Sequence, residues 1–393
     1  MTRLIEITGK ALSGEWGKDD DSGNGIPVLR TTNFTNIGEV DYENVVTRNI
    51  IKKNLDEKYL RKGDIIIEKS GGSDKQPVGR VIFFDGEEGT YLFNNFTGLL
   101  RVKDQANWYP RYIFYSLFSN YRKGGTRGFE NKTTGLHNLK TDEYVAHYEV
   151  ADASMQNQIA ICAQLDRVTK NIKLHQQELQ KLDQLIKSRF VELFGDPIMN
   201  PKGWEVVTIG DITTEVRYGT SKPAVEGGKY PYLRMNNLTI DGHLDLTELK
   251  YIDIPDDEIE KCVVRKGDIL FNRTNSIELV GKTAVFDFPD DMVIAGYIIR
   301  VRLNTKMLPE VLSQYMNLEA IKDILRSMAK GAVNQANINA QDLQSIRVYV
   351  PDIELQKQFV EMKEQIDKSK VAVQKSLDEM QLLFDSLMQK YFR

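Results

Sequence analysis

The chain has 393 residues, 41% of them hydrophobic and 27% charged, with a net charge of −4. That length accommodates two or three domains with cores of their own, and the composition is that of a globular protein. The negative balance excludes a generally basic nucleic-acid coat, so any DNA contact must rest on a locally concentrated basic face.

The opening stretch, MTRLIEITGKALSGEWGKDDD, holds no apolar run of signal-peptide length, and no run in the sequence is long and apolar enough to span a membrane. A cytoplasmic protein without membrane attachment is therefore expected. Cys162 and Cys262 fit no metal spacing and read as two plain thiols. Residues 1–151 alternate short β-type runs, such as DIIIEK and RVIFFD, with Gly, Asn and Asp clusters, and PRYIFYSLFSNYR reads as a short helix. From 155 to 194 there is neither Gly nor Pro. Leu165, Val168, Ile172, His175, Leu179, Leu182 and Ile186 step alternately by three and four, the spacing of a coiled-coil seam. His175 is a seam residue, since no second ligand type accompanies it. FGDP at 194–197 supplies the Gly and Pro of a helix stop. The same order then returns: short strands such as TAVFDF, helical segments near PEVLSQYMNLEAIKDILRSM, and a second stretch free of Gly and Pro from 354. There Phe359, Met362, Ile366, Ser369, Val373, Ser376, Met380, Leu383 and Leu387 repeat the heptad step.

This recurrence is a duplication. RKGDIIIEKSGG (61–72) and RKGDILFNRTNS (265–276) begin identically, and Gly63 and Gly267 lie 204 positions apart. At that offset Pro27, Leu29, Arg30, Asn33, Thr35, Gly38 and Asp41 all meet an identical residue. The offset then drifts, pairing VGRVIFFD (78–85) with VGKTAVFD (280–287), LLRVK (99–103) with IIRVR (298–302), and SMQNQIA (154–160) with IELQKQF (353–359). A period this long is domain-scale rather than solenoid. A compact domain usually has its two ends close together, so the segment joining the helices should set them antiparallel. The expected fold is α+β: two similar domains of mixed α/β content, 1–151 and 197–351, separated by two long antiparallel coiled-coil helices, 152–196 and 352–393, as a pseudo-twofold internal repeat.

Chemistry of its own is not expected of the chain. SIELVGKT (276–283) lacks the first glycine of a P-loop and runs into a strand where a phosphate loop needs a helix. Asp64, Glu68 and Lys69 resemble fragments of a nuclease site, but they lie within one short strand, and the sister copy has Phe271 and Asn272. Asp64 reads as a turn residue. The four histidines are too scattered for a triad.

The duplicated layout, the PVLRTTN and PYLRMNN segments, the paired KGDI strands, the two heptad helices and VPDIELQKQF (350–359) together resemble the specificity (S) subunit of type I restriction–modification systems. The resemblance covers the whole chain. It implies a non-catalytic subunit whose two target recognition domains each read one half of a bipartite double-stranded DNA site. The helices would set the spacer and dock two methyltransferase (M) subunits, through which restriction (R) subunits join. No cofactor is implied in this chain, since S-adenosylmethionine, ATP and Mg²⁺ belong to the partners. The rival reading is a non-catalytic interaction scaffold, two protein-binding domains on a coiled-coil stalk.

What the copies share should build the fold or touch the DNA backbone, and what they do not share should read bases. Arg30, Asn33, Arg234 and Asn237 fall in the shared class. The divergent loops supply the base-reading candidates: Lys69, Ser73 and Lys75, then Arg127, Asn131, Lys132 and Thr133 in the first copy. Asn272, Arg273 and Asn275, then Lys330, Asn334, Gln335 and Asn337, are their counterparts in the second. These are the residue types that pair with base edges. Residues 1–150 hold 21 basic and 21 acidic side chains and 201–350 hold 18 and 21, so neither domain is basic overall.

Overall fold

The structure is a computed structural model, and it describes residues 1–392 except 22, 53, 54, 134, 135, 333 and 334. The chain divides into two compact units, Met1–Gln176 with Lys375–Arg393, and Gln177–Gln374.

In the first unit the strand after KGD, Ile65–Glu68, is central to an antiparallel sheet ordered Leu12–Ser13, Thr97–Leu100, Ile65–Glu68, Val81–Phe83. Its uninterrupted apolar run is explained by burial on both faces. Ile65 and Ile67 join a core with Phe114 of the helix Pro110–Arg122, while Ile66 faces Leu29, Phe34 and Phe84. A second sheet orders Lys18–Asp19, Val46–Asn49, Ile26–Leu29 and Leu92–Phe93, its last pair parallel. The second unit repeats this plan: Thr213–Tyr218, Ile298–Leu303, Ile269–Asn272 and Thr283–Val285 form the first sheet. Ile269 and Phe271 again face one core and Leu270 the other.

The repeated RKGD is a turn. Gly63 and Gly267 have φ of 91° and 89°, a left-handed conformation that glycine adopts without a Cβ clash. Asp64 accepts the Arg61 backbone N–H at 2.8 Å, and Asp268 accepts that of Arg265 at 2.9 Å. Each carboxylate is then gripped by an arginine of the neighbouring strand. Arg101 donates to both Asp64 oxygens at 2.7 and 2.6 Å, and Arg302 to both Asp268 oxygens at 2.9 and 3.3 Å. This corrects the alignment of LLRVK with IIRVR by register. Leu100 lies opposite Ile65 and Val301 opposite Ile269, so Arg101 corresponds to Arg302 rather than to Arg300.

The long helices are Met155–Phe194 and Ile353–Tyr391. Near the start of each, a fully buried glutamine ties the helix to its domain. Gln158 accepts the Tyr109 N–H at 2.8 Å and donates to the Asn107 and Ala153 carbonyls, while Gln356 accepts the Leu308 N–H at 2.8 Å and donates to those of Lys306 and Pro351. The match of SMQNQIA to IELQKQF was therefore also displaced by one residue. In the first unit Leu165, Val168 and Ile172 share a core with Phe384, Met388 and Phe392. In the second, Ile186, Phe190 and Phe194 pack with Phe359 and Ile366. Early residues of one helix thus meet late residues of the other, the antiparallel arrangement. His175 lies on the seam, its Nε2 3.2 Å from Ser376 Oγ.

The second seam departs from the heptad expectation. Ser369 and Leu383 are exposed, and Phe384, Met388 and Phe392 are buried instead. Toward its end the helix packs against the helix Pro110–Arg122 as well as its partner, with Phe384 near Tyr115 and Phe118. Steps of four then keep one face turned to both. No described helix is long and apolar enough to cross a membrane.

Candidate nucleic-acid interface

In each unit the two divergent loops, distant in sequence, meet in a small three-stranded antiparallel sheet. In the first unit its order is Glu130–Thr133, Leu136–Leu139, Ser70–Gly72, so the loop after KGD supplies an edge strand to the hairpin of the later loop. In the second the order is Thr274–Asn275, Gln335–Asn337, Lys330–Ala332. Glycine makes the first of these edges possible, since a Cβ on Gly72 would lie 2.5 Å from the Val78 backbone nitrogen.

The candidate residues separate by environment. Ser73, Lys75, Arg127 and Asn131 are exposed on the first unit, and Lys330 and Gln335 on the second. Arg127 reaches back to the Asp74 carbonyl at 3.3 Å, which joins the two loops. Lys69 is half-buried and donates to Ser13 Oγ at 3.0 Å. Lys330 pairs with Asp342 at 3.1 Å from a side chain that is 71% exposed, a contact weak enough to exchange for another anion. Arg273 is half-buried, its guanidinium 4.9 Å from the centre of the Tyr218 ring. Asn275 and Asn337 are half-buried and bonded within the sheet region, to Asn272 Oδ1 and from Thr274 Oγ1 respectively. The strand carrying Lys132 and Thr133 is described but their side chains are not, and Asn334 lies outside the described residues.

Three of the asparagines are committed to the fold. Asn33 and Asn237 are buried, each accepting the N–H of the preceding arginine (Arg30, Arg234) at 2.9 Å and donating to an aspartate carbonyl at 2.9 and 2.8 Å. Arg30 and Arg234 themselves donate to the Asn44 and Glu248 carbonyls. Asn272 is fully buried and donates to the Thr274 and Tyr297 carbonyls. For both asparagines the contacts present are structural, since each buried amide bridges the arginine N–H and an aspartate carbonyl within its own turn.

Glu68 takes Arg80 in a two-point pair at 3.1 and 2.8 Å, and Lys282, the lysine of the P-loop look-alike, is buried with its ammonium on the Met235 and Leu238 carbonyls. Both side chains are engaged by partners within the fold. Sequence reasoning passed over Tyr121, His137 and Tyr218. Tyr121 accepts from Gln76 Nε2 at 3.3 Å, His137 lies 3.0 Å from Glu130, and Tyr218 accepts the Ala340 N–H at 2.8 Å while lying against Arg273. Only Tyr218, an exposed aromatic at a strand end, carried a local signal.

The type I restriction modification DNA specificity domain matches this sequence twice, over residues 4–184 and 201–379. The chain belongs to that family. It is a type I specificity subunit with two target recognition domains, the non-catalytic component of such systems. It is 31% identical over 196 residues to the putative type I restriction enzyme MjaX specificity subunit of Methanocaldococcus jannaschii, a match spanning 49% of this chain and about half (46%) of that relative. To the type I restriction enzyme EcoKI specificity subunit of Escherichia coli K12 it is 24% identical over 94% of this chain and 82% of the relative. In fold it is similar to the S subunit of a type I system from M. genitalium, with a TM-score of 0.59 at 15% identity, covering 100% of this chain and 95% of that one.

Proposed function

We propose that each unit reads one half of a bipartite double-stranded DNA sequence through its small three-stranded sheet. The observation that carries this is the convergence, in both copies, of the divergent loops onto one sheet bearing exposed side chains suited to base edges and phosphates. Ser73, Lys75, Arg127 and Asn131 are the contact residues of the first half, and Lys330, Gln335 and Arg273 those of the second. The buried asparagines hold the scaffold under them. The long helices dock two methyltransferase subunits, and restriction subunits join through these. S-adenosylmethionine, ATP and Mg²⁺ act in the partners, and the assembly works in the cytoplasm.

A protein-binding scaffold would share the duplication and the helices, but it gives no reason for polar residue types to gather on an element whose sequence differs between copies. The test is exchange of residues 200–350 for the matching domain of a relative, with the methylated motif mapped in a genome. One half of the motif should change and the other stay. A change in both halves, or in neither, would refute independent reading.

A further inference from the structure

The two RKGD turns are identical in sequence and opposite in electrostatic state. In the second unit the turn is neutralised: Arg265 pairs with Glu260 at 2.6 Å and Asp291 at 3.2 Å, and Lys266 pairs with Asp287 at 2.7 Å. In the first unit Arg61 and Lys62 are exposed, and among the described residues neither side chain has an acidic partner. Two further lysines gather there. Lys10 and Lys103 are exposed, again without an ion pair among the described residues, and with Arg61 and Lys62 they line an open pocket of about 780 Å³. A Cβ on Gly9 would lie 2.5 Å from Lys103 Nζ, so Gly9 clears the space in which that ammonium sits. The carboxylate in the lining is Asp64, and Glu88 lies beside the turn. Asp64 is held by Arg101, and Glu88 accepts the Lys62 backbone N–H at 3.0 Å.

Four cations at one concavity repel each other, and a site of this kind is relieved by an anion. Its volume lies in the range of small-ligand pockets, with apolar walls from Leu12, Leu99 and Val102. We propose that this pocket is a phosphate-binding site, present in the first unit and lost from the second. Its ligand is a phosphate group, carried either by a nucleic-acid backbone or by a free nucleotide. The pocket sits at the Asp64 end of the strand Ile65–Glu68, whereas the small sheet continues from the other end. The proposal therefore does not depend on base reading by that sheet.

The experiment uses the full chain as wild type, as Lys10→Ala/Lys103→Ala, and as Arg265→Ala/Lys266→Ala, the neutralised counterpart. One arm titrates ATP calorimetrically at low salt without Mg²⁺. The other measures anisotropy of a labelled random-sequence duplex across a salt series. A free-nucleotide ligand predicts ATP binding that falls by at least about tenfold in the first variant, as for loss of charge-assisted hydrogen bonds. A backbone ligand predicts a log K against log salt slope shallower by about one unit in that variant. Either result supports the site and names its source. Neither arm changing, or an equal change in the Arg265/Lys266 variant, overturns it.

Discussion

Arg300 occupies the register position that Leu99 holds in the first unit, with no side-chain exposure. Its guanidinium meets Glu215 at 2.7 Å and the Val263 carbonyl. Reading the sequence placed this arginine opposite Arg101, because identical letters one position apart outweigh a register that only pairing reveals. The Asp64–Arg101 grip was likewise half legible: the aspartate could be read as a turn residue, its partner could not. Lys322 is a second buried cation, its ammonium donating to the Gly281 carbonyl at 2.7 Å. Burial, and then the charge of Arg326, push it down to about 7 from the usual lysine value of 10.5. With its folded value below the unfolded one, the unfolded chain binds more protons between those values, so stability rises as pH climbs from 7 toward 10. Lys322→Met should raise unfolding free energy at pH 7 by on the order of 1 kcal/mol or more. It should also flatten that rise, as measured by urea unfolding at pH 7, 8.5 and 10. An unchanged pH profile would mean the ammonium is not desolvated.

The long helices show how far periodicity carries. Absence of Gly and Pro and an apolar stripe defined both elements, and the seam of the first follows the heptad from Leu165 through Ile186. In the second, Phe384 replaces Leu383 on the buried face because the last turns must satisfy two neighbours, and a heptad pattern assumes one. The small sheets lay beyond reach for a related reason. Their pairing joins the 70s to the 130s and the 270s to the 330s, and local sequence does not encode such contacts. Two adjacent residues of the helix's last turns offer a direct comparison. Leu383→Ala, at 43% exposure, should cost less than about 1 kcal/mol, whereas Phe384→Ala, at 6%, should cost about 3–5 kcal/mol. Chemical denaturation of the two variants decides it, and a larger loss at Leu383 would restore the strict heptad.

For the whole molecule, duplication was legible because both copies keep turn residues, buried strands and helix lengths under the same physical demands. Where the copies differ was legible only as difference, and in the fold the divergent loops gather on the small sheets of each unit. The role of the helices as a spacer has its own test. At 1.5 Å per residue, helices of 40 and 39 residues are each about 60 Å long. Because Lys370 pairs with Asp183 across the antiparallel seam, lengthening one helix alone would break the register. Seven residues should therefore be inserted in both, after Leu182 and after Lys370. A heptad adds about 10.5 Å and turns an ideal helix by only about 20° from closure, so the seam is retained. In B-DNA that distance corresponds to about three base pairs at 3.4 Å each. Four residues in each helix add about 6 Å, close to two base pairs, but they rotate the seam and should cost affinity. The measurement is the methylated motif produced with the methyltransferase partner. The heptad pair should lengthen the non-specific spacer with both half-sites unchanged. An active double-insertion protein that keeps the original spacer would show that the helices do not set the distance.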